Sequence, residues 1–80
     1  AGNGDVQIYE ISISAEWAGR SITELAPAEH AIANALTRGG KTTLPARDTV
    51  LQEQDILQVS ATAEGASILR QRLKANGEKK

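Results

Sequence analysis

Eighty residues carrying a net charge of −1, with both signs mixed along the chain, leave room for one domain. The lack of a basic excess argues against a nucleic-acid face, no apolar run approaches a membrane span, and the absence of cysteine rules out disulfides and fits a cytoplasmic setting. With no Met or Phe, and Tyr9 and Trp17 the only aromatic residues, the core has to be built from Ile, Leu, Val and Ala, a thin supply that predicts support from oligomerisation, at least a dimer.

Ala1–Asp5 has turn composition and reads as a disordered tail or the remnant of a cut from a longer protein. Val6 to Ser14 is a strand, with Val6 and Ile8 on one face and Tyr9, Ile11 and Ile13 on the other. The change of phase between Ile8 and Tyr9 suggests a bulge, or a strand covered on both faces as at a subunit contact. A loop over 15–20 carries Trp17. Ser21-Ile22-Thr23-Glu24 then reads as a capping box opening a short helix that Pro27 stops, with Ile22, Leu25 and Ala26 as its apolar stripe.

Residues 31–37 form the next strand. Ile32, Asn34 and Leu36 share one face; Ala31, Ala33 and Ala35 share a narrow one that a helix or a partner chain must approach closely. Arg38-Gly39-Gly40-Lys41 is a hairpin reversal, because glycine reaches positive φ without steric cost. The returning strand, 41–44, ends at Pro45, which cannot donate a ladder bond. After an irregular piece at 48–51 and a turn at 52–55, residues 56–61 form the last strand, with Leu57, Val59 and Ala61 inward. Thr62 caps a final amphipathic helix whose stripe is Ala66, Leu69 and Leu73, and Asn76-Gly77 stops it, opening a frayed tail over 76–80. The expectation is an α+β fold, β-α-β-β-β-α over 6–75, with a mainly antiparallel sheet, helices on one face, and a dimeric state.

Several of these pieces occur together as motifs: Gly19-Arg20-Ser21-Ile22-Thr23-Glu24-Leu25, a strand ending in Arg38-Gly39-Gly40, Leu44-Pro45, Asp48-Thr49-Val50-Leu51, and Asp55-Ile56-Leu57-Gln58-Val59. In that order and spacing the chain resembles the C-terminal domain of regulators of potassium conductance (RCK_C, TrkA-C type), over about residues 6 to 73. One departure is Gln54, where the family pattern has glycine before the aspartate. The resemblance implies a cytoplasmic regulatory domain that pairs as a dimer and belongs to, or associates with, an inner-membrane potassium or other cation transporter or channel. It implies a small-molecule effector near the dimer interface, a nucleotide such as cyclic di-AMP in some members and other nucleotides or divalent cations in others. Where cyclic di-AMP binds, the family uses an arginine and an asparagine around the loop after the first helix, with apolar residues of the following strand. Here that loop holds Ala28, Glu29 and His30, and Asn34 lies inside the strand.

The candidate ligand-binding residues are therefore Arg20, Ile32, Asn34, Arg38 and Pro45, and the candidate interface residues Val6, Ile8, Trp17, Ala31 and Ala33. Each has a plainer reading beside it. Arg38 and Lys41 can grip a phosphate, yet solvated charge at a turn is the preferred account. Arg20 can attract an anion at the start of the helix or pair with Glu24 or Glu16. Trp17 can anchor a partner or, as preferred, plug the core edge. Lone His30 lacks a second metal ligand at useful spacing, and Asp48, Glu53 and Asp55 read as turn residues rather than a cation site. Ser21 and Ser60 have no base that the sequence points to, so the chain is not expected to be an enzyme. The two function classes left are a ligand-sensing regulatory domain and a ligand-free dimerisation module of a transporter.

Overall fold

The computed structural model describes residues 5–77, so the tails expected at 1–5 and 76–80 fall mostly outside the described residues. Four strands and two helices follow in the order β1 (Gln7–Ser12), α1 (Ile22–Leu25), β2 (Ala31–Arg38), β3 (Lys41–Thr43), β4 (Ile56–Ala61) and α2 (Ala63–Gly77), with one 3₁₀ turn at Ala15–Trp17, among the described residues. The strands form one antiparallel sheet in the order β1-β4-β2-β3. The last strand thus sits between the first two, and this long-range pairing closes the domain.

Both helices lie on one face of the sheet. Alternation along the strands shows it: Leu57, Val59 and Ala61 of β4 are buried together with Ile11, while Ile8 and Ile32 on the opposite face are 64% and 66% exposed. Ile22 and Leu25 from α1, Ala66 and Leu69 from α2, and Leu51 complete the core. α2 starts where the sequence places its cap, with the Gly65 N–H donating to Thr62 Oγ1 at 3.0 Å. Gly65 itself presses against the His30 carbonyl, leaving no space there for a Cβ. The two-residue reversal after β2 has Gly39 and Gly40 at φ 59° and 79°, the positive pair that a tight hairpin requires.

Several expectations are corrected. The phase change expected in β1 is not a bulge, because β1 pairs with β4 without interruption from Gln7↔Ala61 to Ser12↔Ile56. The bulge lies in β2, where Ala33 pairs with Val59 but Ala35 pairs with Gln58, leaving Asn34 as the extra residue. One added residue inverts the alternation. Leu36 therefore joins Ala31 and Ala33 on the core side instead of sharing a face with Ile32. The expected capping box does not form either. Ser21 makes no side-chain cap bond, and the Glu24 carboxylate lies 3.8 Å from Arg20 instead. The helix is a single turn whose Ile22 N–H already donates to the Thr49 carbonyl at 3.0 Å, so little is left for a cap to satisfy.

Trp17 belongs to the core rather than to a subunit contact. It is 2% exposed, packed on the interior side of the 3₁₀ turn, and its surface is already used within the chain. Ala31 is likewise buried beneath the helices. Among the described residues no helix is long and apolar enough to cross a membrane.

Candidate ligand groove

Three loops meet on one side of β2. The chain from Gly19 to Ile22 runs beside 49–51 through backbone bonds from Gly19 N–H to the Leu51 carbonyl (2.9 Å), Leu51 N–H to the Arg20 carbonyl (2.8 Å) and Ile22 N–H to the Thr49 carbonyl (3.0 Å). Thr49 folds the preceding turn, its Oγ1 accepting from the Ala46 N–H at 2.8 Å and its own N–H donating to the Ala46 carbonyl at 3.1 Å. Thr23 on α1 ties the same turn to the helix by donating its hydroxyl to the Arg47 carbonyl at 2.6 Å. The segment after Pro45 is thus held at a fixed distance from α1.

Between them lies a groove of about 370 Å³. One wall is α1 and the following loop (Ile22, Thr23, Ala26, Ala28); the floor is Ala31, Ile32 and Ala33 of β2; the far wall is Pro45, Ala46 and Arg47. β3 pairs only with Leu36–Arg38, so the opening half of β2 has β4 on one side and the groove on the other. Five of the lining residues are alanines, which keep the walls far enough apart to admit a ligand. Ile32, 66% exposed, offers the largest uncovered apolar side chain of the floor. A second, smaller cavity of about 220 Å³ lies between β1 and α2, where Tyr9, Ile11, Leu69 and Leu73 meet.

Of the five candidate ligand residues, Ile32 and Pro45 line the groove. The other three are engaged elsewhere. The Arg20 guanidinium lies 4.7 Å from the centre of the Trp17 ring, a cation–π distance, and faces Glu24. Asn34, lifted out of register by the bulge, donates through Nδ2 to Ser60 Oγ at 2.6 Å on the sheet's outer face. Arg38 clamps Asp55 with Nε to Oδ1 at 2.9 Å and Nη2 to Oδ2 at 2.7 Å, and Nη2 also reaches the Val50 carbonyl at 3.1 Å. Neither reading from sequence, phosphate grip or solvated turn charge, describes it: Arg38 is the counter-ion of a buried carboxylate.

Asp55 is 1% exposed, and its Oδ2 also accepts from the Gln52 N–H at 2.8 Å. Hydrogen bonding to Arg38 holds its carboxyl below the usual carboxylate range; burial pulls the other way, and the Gln52 N–H and the arginine charge add to the lowering. The turn reading of Asp55 holds, and the ion pair is added to it. His30 Nε2 lies 3.9 Å from Glu64 Oε2 at the start of α2, and no group of three metal-ligating side chains occurs among the described residues.

Sequence reasoning missed Thr23, Ala26, Ala28 and Arg47 as groove residues. The available signal was Pro45, since Arg47 follows it by two residues in the same turn. Of the interface candidates, Val6 and Ile8 are 58% and 64% exposed. Ile8 and Ile32 both stand opposite Ser60 of the intervening β4, so the two exposed isoleucines flank that serine on the outer face. Ala33 is half-buried at the groove floor.

Among solved structures, the chain is similar to the RCK C domain of the potassium transport protein KtrA in complex with cyclic diadenosine monophosphate, with 22% identity, 85% of this chain and 84% of that one covered, and a TM-score of 0.70. It is also similar to the RCK_C domain dimer of Streptococcus agalactiae BusR in complex with c-di-AMP, with 26% identity, 86% and 92% covered, and a TM-score of 0.57. No curated protein matches the chain. The family model described as the TrkA-C domain matches residues 6–74, nearly the full length, and the chain belongs to the TrkA-C domain family.

Proposed function

We propose that this chain is a cytoplasmic regulatory domain that senses a nucleotide effector, with cyclic di-AMP as the leading ligand, on behalf of a membrane cation transporter or channel, potassium being the ion that the KtrA likeness favours. The observation that carries the reading is the groove between α1, β2 and the 45–47 turn, apolar along its floor and open beside Ile32, in a TrkA-C domain. It acts as a binding module rather than an enzyme. The effector binds one arrangement of a homodimer more tightly than another, and the attached transporter follows that shift in population. The exposed apolar side chains of Val6, Ile8 and Ile32 support the dimer, because a small domain gains by covering such residues.

Thermal unfolding against cyclic di-AMP, ATP, ADP, NADH and divalent cations tests the sensor. A ligand at one hundred times its dissociation constant adds about 2.7 kcal/mol, which moves the midpoint of a domain this size by on the order of 10 °C. A shift with cyclic di-AMP alone is the expected result. The absence of a shift with every compound favours the second reading, a ligand-free dimerisation module. Sedimentation at tens of micromolar tests the dimer, and a monomer there removes it from both readings.

A further inference from the structure

Any nucleotide in the groove brings phosphate, and the loop after α1, holding Ala28, Glu29 and His30, has no arginine to meet it. The arginines named from sequence are committed: Arg20 lies over Trp17, and Arg38 is locked on Asp55. Arg72, from α2, reaches the Glu24 and Leu25 carbonyls at 2.9 and 3.2 Å. One charged side chain remains on the groove itself. Arg47 lines it, is exposed, and its guanidinium has no hydrogen bond or ion pair among the described residues. No carboxylate lines the groove to compete with it.

The backbone beneath Arg47 is built to stay put. Thr23 Oγ1 donates to its carbonyl at 2.6 Å, and Thr49 closes the same turn from the other side. A guanidinium on a fixed turn, beside an apolar floor and without an intramolecular partner, suits a phosphodiester, which it can hold with two parallel bonds. We propose that Arg47 is the phosphate-binding residue of the groove, so that the cation comes from the turn after β3 rather than from the loop after α1. This rests on the nucleotide-sensing reading and adds to it the residue that supplies the charge.

The test is isothermal titration of the 80-residue chain with cyclic di-AMP at two or more salt concentrations, comparing wild type with Arg47→Ala, Arg47→Lys and Arg20→Ala. Expected are a loss of affinity on the order of 30-fold in Arg47→Ala with a shallower salt dependence, partial rescue by lysine, and wild-type affinity in Arg20→Ala. Unfolding midpoints of the Arg47 variants should match wild type, because the side chain is exposed, holds no hydrogen bond or ion pair among the described residues, and the Thr23 bond is to main chain. If wild type binds and Arg47→Ala binds within twofold, Arg47 is solvated turn charge and the assignment falls while the sensor stands. If wild type does not bind cyclic di-AMP, that ligand reading and the phosphate role fall together.

Discussion

The Arg38 guanidinium closes on the Asp55 carboxylate with two bonds of 2.9 and 2.7 Å, one partner 41% exposed and the other 1%. That inequality makes the two deletions inequivalent. Arg38→Met strands a carboxylate in the core edge and is expected to cost about 3 kcal/mol, whereas Asp55→Asn leaves a guanidinium that can turn to water and costs about 1–2 kcal/mol. Urea unfolding of both variants at pH 7 checks the order.

The same pair sets an acid limit. Because the native carboxyl titrates below the unfolded value of about 4, its stabilisation is complete above that value and is lost as pH falls through the lowered native one. In Arg38→Met the sign reverses, since burial without a cation raises the native value and protonation then relieves the buried charge. The gap between wild type and Arg38→Met should therefore be widest at neutral pH and narrow as pH falls toward about 4. A gap that stays constant across that range would show that Asp55 does not titrate as the ion pair requires.

Gln54 sits at φ 75°, a left-handed conformation unfavourable to any residue with a Cβ, at the position where the resemblance led one to expect glycine. Gln54→Gly removes that strain and gives back part of the gain as unfolded-state entropy. The net expectation is about 0.5–1 kcal/mol of added stability and a midpoint raised by about 4 °C in calorimetry.

Gly65→Ala should go the other way. Within a helix that exchange ordinarily gains about 1 kcal/mol, yet here the new methyl would overlap the His30 backbone carbonyl, which cannot swing aside as a side chain could. A loss of about 2–4 kcal/mol is expected in denaturant unfolding, as α2 is pushed from the end of β2.

Ile32→Ala separates binding from folding. Its side chain is 66% exposed on the single chain, so unfolding at concentrations too low for the proposed dimer should change by less than about 0.5 kcal/mol, while affinity for cyclic di-AMP drops about tenfold through lost apolar contact on the groove floor. Parallel melting and titration of this variant report the two effects independently.

The element order, the Gly39-Gly40 hairpin, the inward set Leu57, Val59 and Ala61, and the Thr62 cap were legible because each depends on local chemistry or strict alternation. The Asn34 bulge was not: alanines on both sides of it give no hydrophobic contrast by which to see the phase change. The groove was half legible. Ile32 and Pro45 carry visible signals, but Arg47 becomes significant only when the 46–49 turn is folded against α1, a contact between segments more than twenty residues apart. Arg38 misled for a related reason, since its partner lies across the sheet at the entrance to β4.

β2 is in effect two half-strands spliced out of phase at Asn34. The first half serves the groove, and the second carries Leu36 into the core and Arg38 to Asp55. Their faces are assigned separately, so the lining at Ala31, Ile32 and Ala33 can change from one descendant to another while the ion pair beyond the splice keeps its geometry. Deleting Asn34 would remove that independence. The strand would become regular, and whichever half kept its register would force the other to turn its side chains inside out.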